Sequence, residues 1–588
     1  MKHSVIQWTL ATLFAFCWTI GAFTLTAYAQ NDNWLWVKTA DSVRGKITPT
    51  SITSDKNGNT YIAGSFQGRA VFGNSSLTTA GGEDAFIMKY NRKGEVEWAK
   101  RFGGRYNESI SGFGLDGLGN LYCTGVFFSD TVSIETDTMF RSANGSIFVA
   151  KFSSEGDLQW AESPFADGYN ALGKTNTATS IAVTPLGEVY ITGSYQTLLL
   201  TFGDKTISKL LTADTLTNNM FIARYTSDGM VLWAKEFGED NDDIGRVLTT
   251  DNEGNCYLSG TFAGPKITFG TTVFSNTTTT NPLSSDFFLL KISSMGVIIW
   301  AKQGAGSKSE EVRTIKTDIA GNCYITGTFR SPKFTLGSLT LDSKGLGTAF
   351  IIKLATDGSI IWGKAFGGQS EEIVTGISFD ASQNAYVCGT FRSDIVNLSG
   401  AIQLINSGDI FTSDIFIAKF APNGDILSAT SGGSQNNDIV TGISVDTDGQ
   451  FLIAGYAQSD TIKFGDKKAI VTSIKDSVSG GSTNMFVAKY GDGAVGVEEG
   501  TDIRSGKVLC YPQPATSALT FKYTLGNQSP ISIDILDILG NHVATVIQNN
   551  TIIGENSVFC SLDIPTGIYF YRLTTSQISE RGMFQVIR

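Results

Sequence analysis

A chain of 588 residues with 41% hydrophobic content can bury a large core, and its 65 glycines, 11 prolines and 11% aromatic residues suit short strands joined by tight turns rather than helical bundles. A formal net charge of −11 with no run of Lys or Arg excludes a phosphate-backbone partner and an anionic membrane surface, so nucleic acid is not an expected ligand.

The first 29 residues stand apart: Lys2 is positive, Val5 to Phe23 is mostly apolar, and Ala27-Tyr28-Ala29 offers a small-x-small cleavage site before Gln30. Residues 1–29 are therefore predicted to be a signal peptide, with Cys17 a poor lipid-attachment residue because bulky Phe16 precedes it. No later segment has the length and apolarity of a membrane helix, so no transmembrane segment is expected in the mature chain.

From about residue 30 to 492 the chain repeats itself. Gly58-Asn59-Thr60-Tyr61-Ile62-Ala63-Gly64 returns as Gly119 to Gly125, Gly187 to Gly193, Gly254 to Gly260 and Gly321 to Gly327, with weaker copies ending at Gly389 and Gly455, at spacings of 61 to 68 residues. The phenylalanine of Asp84-Ala85-Phe86 returns at Phe148, Phe221, Phe288, Phe350, Phe416 and Phe486. Trp98-Ala99-Lys100 returns at Trp160, Trp233, Trp300 and Trp362, with Ser428 at the equivalent place of a degenerate copy. Each repeat reads as four short strands separated by Gly, Asn and Asp turns. One such sheet has two faces to bury and cannot bury them alone, whereas radial stacking buries both. The seventh repeat ends at Lys489-Tyr490 without a tryptophan strand, while an orphan copy, Trp34-Leu35-Trp36-Val37-Lys38, opens the mature chain. The expected fold is all-β: a seven-bladed β-propeller closed by its N-terminal strand. Segments typified by Asp55-Lys56-Asn57-Gly58-Asn59-Thr60-Tyr61-Ile62-Ala63-Gly64 resemble the seven-bladed β-propeller (SBBP) repeats of bacterial exported proteins. That resemblance implies a fold and an extracytoplasmic setting, but no single activity.

Residues 493–506 read as a linker, and residues 507–588 as a small β-sandwich with alternation such as Ile531-Ser532-Ile533-Asp534-Ile535. Tyr511-Pro512-Gln513-Pro514-Ala515, Asp537-Ile538-Leu539-Gly540 and Pro565-Thr566-Gly567-Ile568-Tyr569 resemble the C-terminal sorting domain of the type IX secretion system of Bacteroidota, with Gln513 where that family usually has Asn. On this resemblance Tyr511, Pro512, Pro514, Gly540, Gly567 and Tyr569 are the export motif, and the secretion machinery is a partner.

Chemistry-bearing residues are few. The two histidines, His3 and His542, lie outside the repeats, which removes Ser-His-Asp and Cys-His catalysis and histidine-ligated metals from the ring. Cys123, Cys256, Cys323 and Cys388 fall on one repeating strand and read as small buried hydrophobes; an oxidising compartment would permit a bond between Cys510 and Cys560. Turns such as Asp251-Asn252-Glu253-Gly254-Asn255 and Asp446-Thr447-Asp448-Gly449 lack the full calcium-ligand alternation and read as capped hairpin turns.

An acid recurs eight residues before the turn aspartate: Glu108, Asp243, Glu310, Glu372 and Asp438, with Asn176 and Ile47 in the other two repeats. If these begin innermost strands, five carboxylates would gather around one axis and hold Ca²⁺ or draw a cationic ligand; alternatively each accepts backbone hydrogen bonds within its own loop. The variable connections, 22 residues from Gly64 to Phe86 and 31 from Gly455 to Phe486, mark the expected binding face. The functional expectation is a secreted or surface binding or scaffold protein for a glycan, peptide or surface polymer, and not an enzyme. The alternatives are a purely adhesive component and a carboxylate-based carbohydrate-active enzyme.

Overall fold

The computed structural model describes residues 33–43, 45–135, 137–167, 175–209, 217–239, 241–276, 285–399, 402–408, 411–459, 461–470, 483–491, 509–511, 515–516, 518–525, 530–537, 541–549, 551–552, 554–574 and 579–586. The expected signal peptide and the whole of the expected linker lie outside these residues. Every regular element among the described residues is a β-strand. The chain divides into two compact units, Met1–Ala494 and Val495–Arg588.

In the first unit the fourth repeat shows the pattern: Asp243–Thr250, Cys256–Phe262, Asp286–Ile292 and Ile298–Gly306 pair antiparallel in chain order. The second strand, Cys256–Phe262, is buried at all seven positions because neighbouring sheets cover both of its faces. Cys123, Cys256, Cys323 and Cys388 all lie on such strands, buried and unbonded. Each wholly buried Leu, Ile, Val or Phe on them contributes about 1.5–3 kcal/mol of hydrophobic free energy.

The first strands lie side by side: Ile47–Ser54 against Glu108–Leu115, then Thr177–Val183, Asp243–Thr250, Glu310–Thr317, Glu372–Phe379 and Asp438–Val445, which itself lies against Ile47–Ser54. The seventh repeat supplies only three strands of its own. Its fourth place is taken by Trp34–Thr39, which pairs antiparallel with Asn484–Tyr490. Trp36 stands opposite Lys489 there, as Trp98 stands opposite Lys89 and Trp300 opposite Lys291. The backbone N–H of Gly491 donates to the carbonyl of Asn33 at 3.1 Å.

The tryptophans join consecutive repeats. Each ring lies on the glycine that turns the third strand of the next repeat into its fourth: Trp36 on Gly94, Trp98 on Gly156, Trp300 on Gly358 and Trp362 on Gly424. Gly358 has φ near 81°, and a Cβ there would sit 3.0 Å from the Trp300 ring, so this turn needs glycine for both backbone and space. Trp160, Trp233, Trp300 and Trp362 also donate their indole N–H to a carbonyl of that turn at 2.9–3.1 Å.

A second connection is a short hairpin between the second and third strands, such as Thr131–Ile134 with Asp137–Phe140 or Lys333–Leu336 with Leu339–Asp342. Its first strand pairs with the fourth strand of the preceding repeat, as in Phe102↔Ile134 and Gly304↔Leu336. In the first repeat the main strands run on as Thr60–Phe72 and Ser75–Tyr90, and Val71 pairs with Asp41, just beyond Trp34–Thr39.

The second unit has two sheets, one of Leu509–Tyr511, Ala518–Leu525 and Gly554–Ser561, the other of His542–Gln548, Ile531–Leu536, Gly567–Thr574 and Ser579–Val586. Ile531, Ile533 and Ile535 point into a core with Phe521, Tyr571 and Phe584, as the alternation of the sequence requires. No disulfide joins Cys510 and Cys560, so the bond permitted by compartment is not formed.

Candidate functional site

The five recurring acids begin first strands and all are buried. Glu108 accepts the N–H of Gly104 at 2.8 Å and that of Ser129 at 3.2 Å. Asp243 accepts the N–H of Glu239 at 2.9 Å, and Glu372 that of Gly368 at 3.0 Å together with the Ser393 hydroxyl. Glu310 accepts the Ser331 hydroxyl, and Asp438 the Ser434 hydroxyl at 2.8 Å. Asn176 does the same work, accepting the N–H of Gln196 at 3.1 Å, while Ile47 is simply core. Burial outweighs these bonds: it pushes the carboxyl of Asp243 up to about 7, Glu310 up to about 8 and Asp438 up to about 7, and raises that of Glu372.

Of the two readings of these acids, the hydrogen bonds fit the second, in which each is held by groups near its own strand. Glu108, Asp243, Glu372 and Asp438 accept bonds from their own loops and Glu310 from Ser331, and among the described residues no three His, Cys, Asp or Glu side chains are grouped as a metal would require. Sequence reasoning missed the partner that makes this a structural device, a serine just beyond the second strand. Ser129, Ser331, Ser393 and Ser459 accept the N–H of Tyr106, Lys308, Ser370 and Asn436 at 2.7–3.1 Å. Its only signal is a Ser two residues after the last aromatic or small residue of that strand.

The Asp-x-x-Gly-Asn turns are closed by their aspartate, as read from sequence. Asp251 Oδ1 accepts the N–H of Glu253 at 3.1 Å and of Asn255 at 2.8 Å, and Asp251 is held by Lys291 at 3.2 Å. Asp446 accepts the N–H of Asp448 and of Gln450, each at 3.0 Å.

The main concavity opens among these constant turns. It has a volume of about 700 Å³ and is lined by the ends of five first strands, including Ser54, Leu115, Val183, Thr250 and Lys316. The binding face expected from loop variability is the opposite one; several of its connections, 210–216, 277–284 and 471–482, lie outside the described residues.

Of the export-motif residues, Tyr511 pairs with Thr520 in the three-stranded sheet, and Gly567 pairs with Val586. Tyr569 is buried, stacked on Phe584 at 5.8 Å, and its hydroxyl donates to the Pro565 carbonyl at 3.0 Å. Pro512, Pro514 and Gly540 lie outside the described residues. Asp537 accepts the N–H of Asn541 at 2.8 Å. Residues 509–584 match the family described as a secretion system C-terminal sorting domain. That match indicates export to the cell surface or the extracellular space, with the type IX secretion machinery as a partner.

The rest of the chain has more distant relatives. An uncharacterized WD repeat-containing protein of Acanthamoeba polyphaga mimivirus is 25% identical, over 75% of this chain and 37% of its own length. The chain thus spans little more than a third of that relative. Among solved structures, Sqt1 from Chaetomium thermophilum is 8% identical with a TM-score of 0.32, covering 79% of this chain and 99% of its own. Puromycin hydrolase is 9% identical with a TM-score of 0.37, covering 81% and 58%. The all-β architecture is consistent with a propeller-like repeat fold.

Proposed function

We propose that the repeats form a seven-bladed propeller of SBBP type over residues 30–492, closed by its N-terminal strand, and that the protein is an exported binding or scaffold protein. The signal peptide at 1–29 and the sorting domain at 507–588, joined by a linker at 493–506, would deliver it. The register of Trp36 opposite Lys489, the same as that of each interior tryptophan, supports closure. The match at residues 509–584 carries the export half of the reading. A scaffold role fits the use of the recurring acids, which hold loops rather than face one another as a catalytic pair, so catalysis is not proposed.

The export half is tested by deleting residues 506–588 and fractionating cells. The truncated chain is expected in the periplasm, protease-resistant; its arrival at the cell surface would show that the sorting domain is not the address. The binding half is tested by presenting the purified full chain to an array of glycans and peptides, where no capture above background counts against a ligand-binding role.

A further inference from the structure

Among the residues that marked the export motif in the sequence, Tyr569 is 7% exposed, stacked on Phe584, with its hydroxyl donating to the Pro565 carbonyl. A partner cannot read a side chain that already belongs to the core. With Tyr571 and Leu573, Tyr569 instead fixes which side of the strand Gly567–Thr574 faces outward.

The outward side of that strand breaks a rule. An antiparallel sheet with one face on a core and the other in water alternates apolar and polar residues. Ile531–Leu536 does so through Asp534, with Ile531, Ile533 and Ile535 inside and Ser532 and Asp534 outside. In Gly567–Thr574, however, the residues outside Tyr569 and Tyr571 are Ile568 and Phe570, 48% and 43% exposed. Phe570 pairs directly with Leu536, the next outward position of the neighbouring strand, so three apolar side chains share one end of this outer face.

The charged row beside them is closed on itself. Asp534 holds Arg572 at 3.0 Å and accepts the Thr545 hydroxyl at 2.8 Å, and His542 Nε2 lies 3.7 Å from it. The other sheet provides a control within the same unit. Its outer face carries Thr520, Lys522 and Ser557, and among the described residues Phe559, opposite Thr520, is its one exposed large apolar side chain. Adjoining apolar residues left in water mark an interaction surface, whereas an isolated one needs no explanation.

We infer that the outer face formed by Ile568, Phe570 and Leu536 is where the type IX secretion machinery docks, through an apolar, uncharged surface of its receptor. The match at residues 509–584 spans all three residues and makes that machinery a partner. Because the inner faces of both sheets form the core, a partner meets the outer ones, and of the two only this one offers adjoining apolar side chains among the described residues. The motif residue Tyr569 thus acts as a positioning residue, and the residues on either side of it make the contact. This deepens the export half of the proposed function and rests on it.

The test fractionates cells that secrete the full chain carrying Ile568→Thr, Phe570→Thr or both. Threonine suits an exposed strand position, so the sheet is kept; the unfolding temperature of the periplasmic protein verifies this, and the single variants decide should the pair fail to fold. The folded double variant is expected to accumulate in the periplasm, its surface fraction down about tenfold or more, with each single variant in between and Phe559→Thr exported like the native chain. Native-level export of the folded double variant overturns the inference. If the 506–588 deletion is still held back in that case, the sorting domain remains the address and only its contact face is wrong; if the deletion also reaches the surface, the export reading itself fails. Retention of Phe559→Thr as strong as that of the double variant overturns the inference too, as does a double variant exported normally but converted from dimer to monomer in light scattering, which would give the face to a second copy.

Discussion

Trp34→Ala tests closure most directly. Trp34 is 2% exposed and sits among three aromatic rings of the seventh repeat, with centroids 5.6 Å from Phe451, 4.5 Å from Phe464 and 5.1 Å from Tyr490. Truncating so enclosed a tryptophan costs about 3–5 kcal/mol in lost transfer energy and cavity. Over the 462 residues from Asn33 to Ala494, an unfolding entropy of about 2.1 cal/mol/K per residue makes each kcal/mol worth about 1 °C. The expected loss is therefore about 4 °C in Tm, against no shift for the exposed Met230→Ala. Hydrogen exchange supplies the discriminating readout. If the ring is one cooperative unit, protection falls at Cys256–Phe262 in the fourth repeat as well as at Asn484–Tyr490. An unmoved midpoint, or a loss confined to Asn484–Tyr490 with Cys256–Phe262 unaffected, would refute closure and leave an open array with a frayed end.

Stability should depend on pH through the buried acids. Folded values of about 7 for Asp243 and Asp438 and about 8 for Glu310 exceed the ordinary carboxylate range, so the folded chain holds more protons than the unfolded one between them. Their contribution is complete below about pH 4, declines as pH rises through the folded values, and is gone above them; an Asp243→Asn, Glu310→Gln, Asp438→Asn variant should show a flatter stability profile across that window in denaturant titrations. An unchanged profile would contradict the burial argument. Ser428→Trp, although it restores the repeat's own residue, should change stability by less than about 0.5 kcal/mol, measured by the same titration. A clear gain would mean the ring finds a platform that the next repeat does not offer.

That last expectation shows what the sequence could and could not tell. Ser428 looks like decay of a motif, yet every other ring of this set lies on the glycine between the third and fourth strands of the following repeat. The seventh repeat has no such turn, because its fourth strand is Trp34–Thr39. Strand order within repeats was legible because Gly, Phe and Trp markers recur at fixed offsets. The hairpins such as Thr131–Ile134 were not, since four-residue strands paired to another repeat leave no local periodicity. The acids were legible as a set, but their role was not. A carboxylate at a strand's start reads the same whether it faces an axis or folds back to an N–H four residues earlier, and the serine that settles the matter for Glu310 lies 21 residues away.

The pairing of Trp34–Thr39 with Asn484–Tyr490 also orders events in time. A chain made from its N-terminus carries its first strand as a bare edge until the last repeat exists, with unsatisfied backbone groups open to other chains. The entropy of joining ends this far apart grows only logarithmically with the intervening length, so the seam adds little to the equilibrium cost of folding, but it is a non-local contact and forms late. Until then the first and seventh repeats each lack one neighbour; afterwards the seam is the place from which forced unfolding should begin.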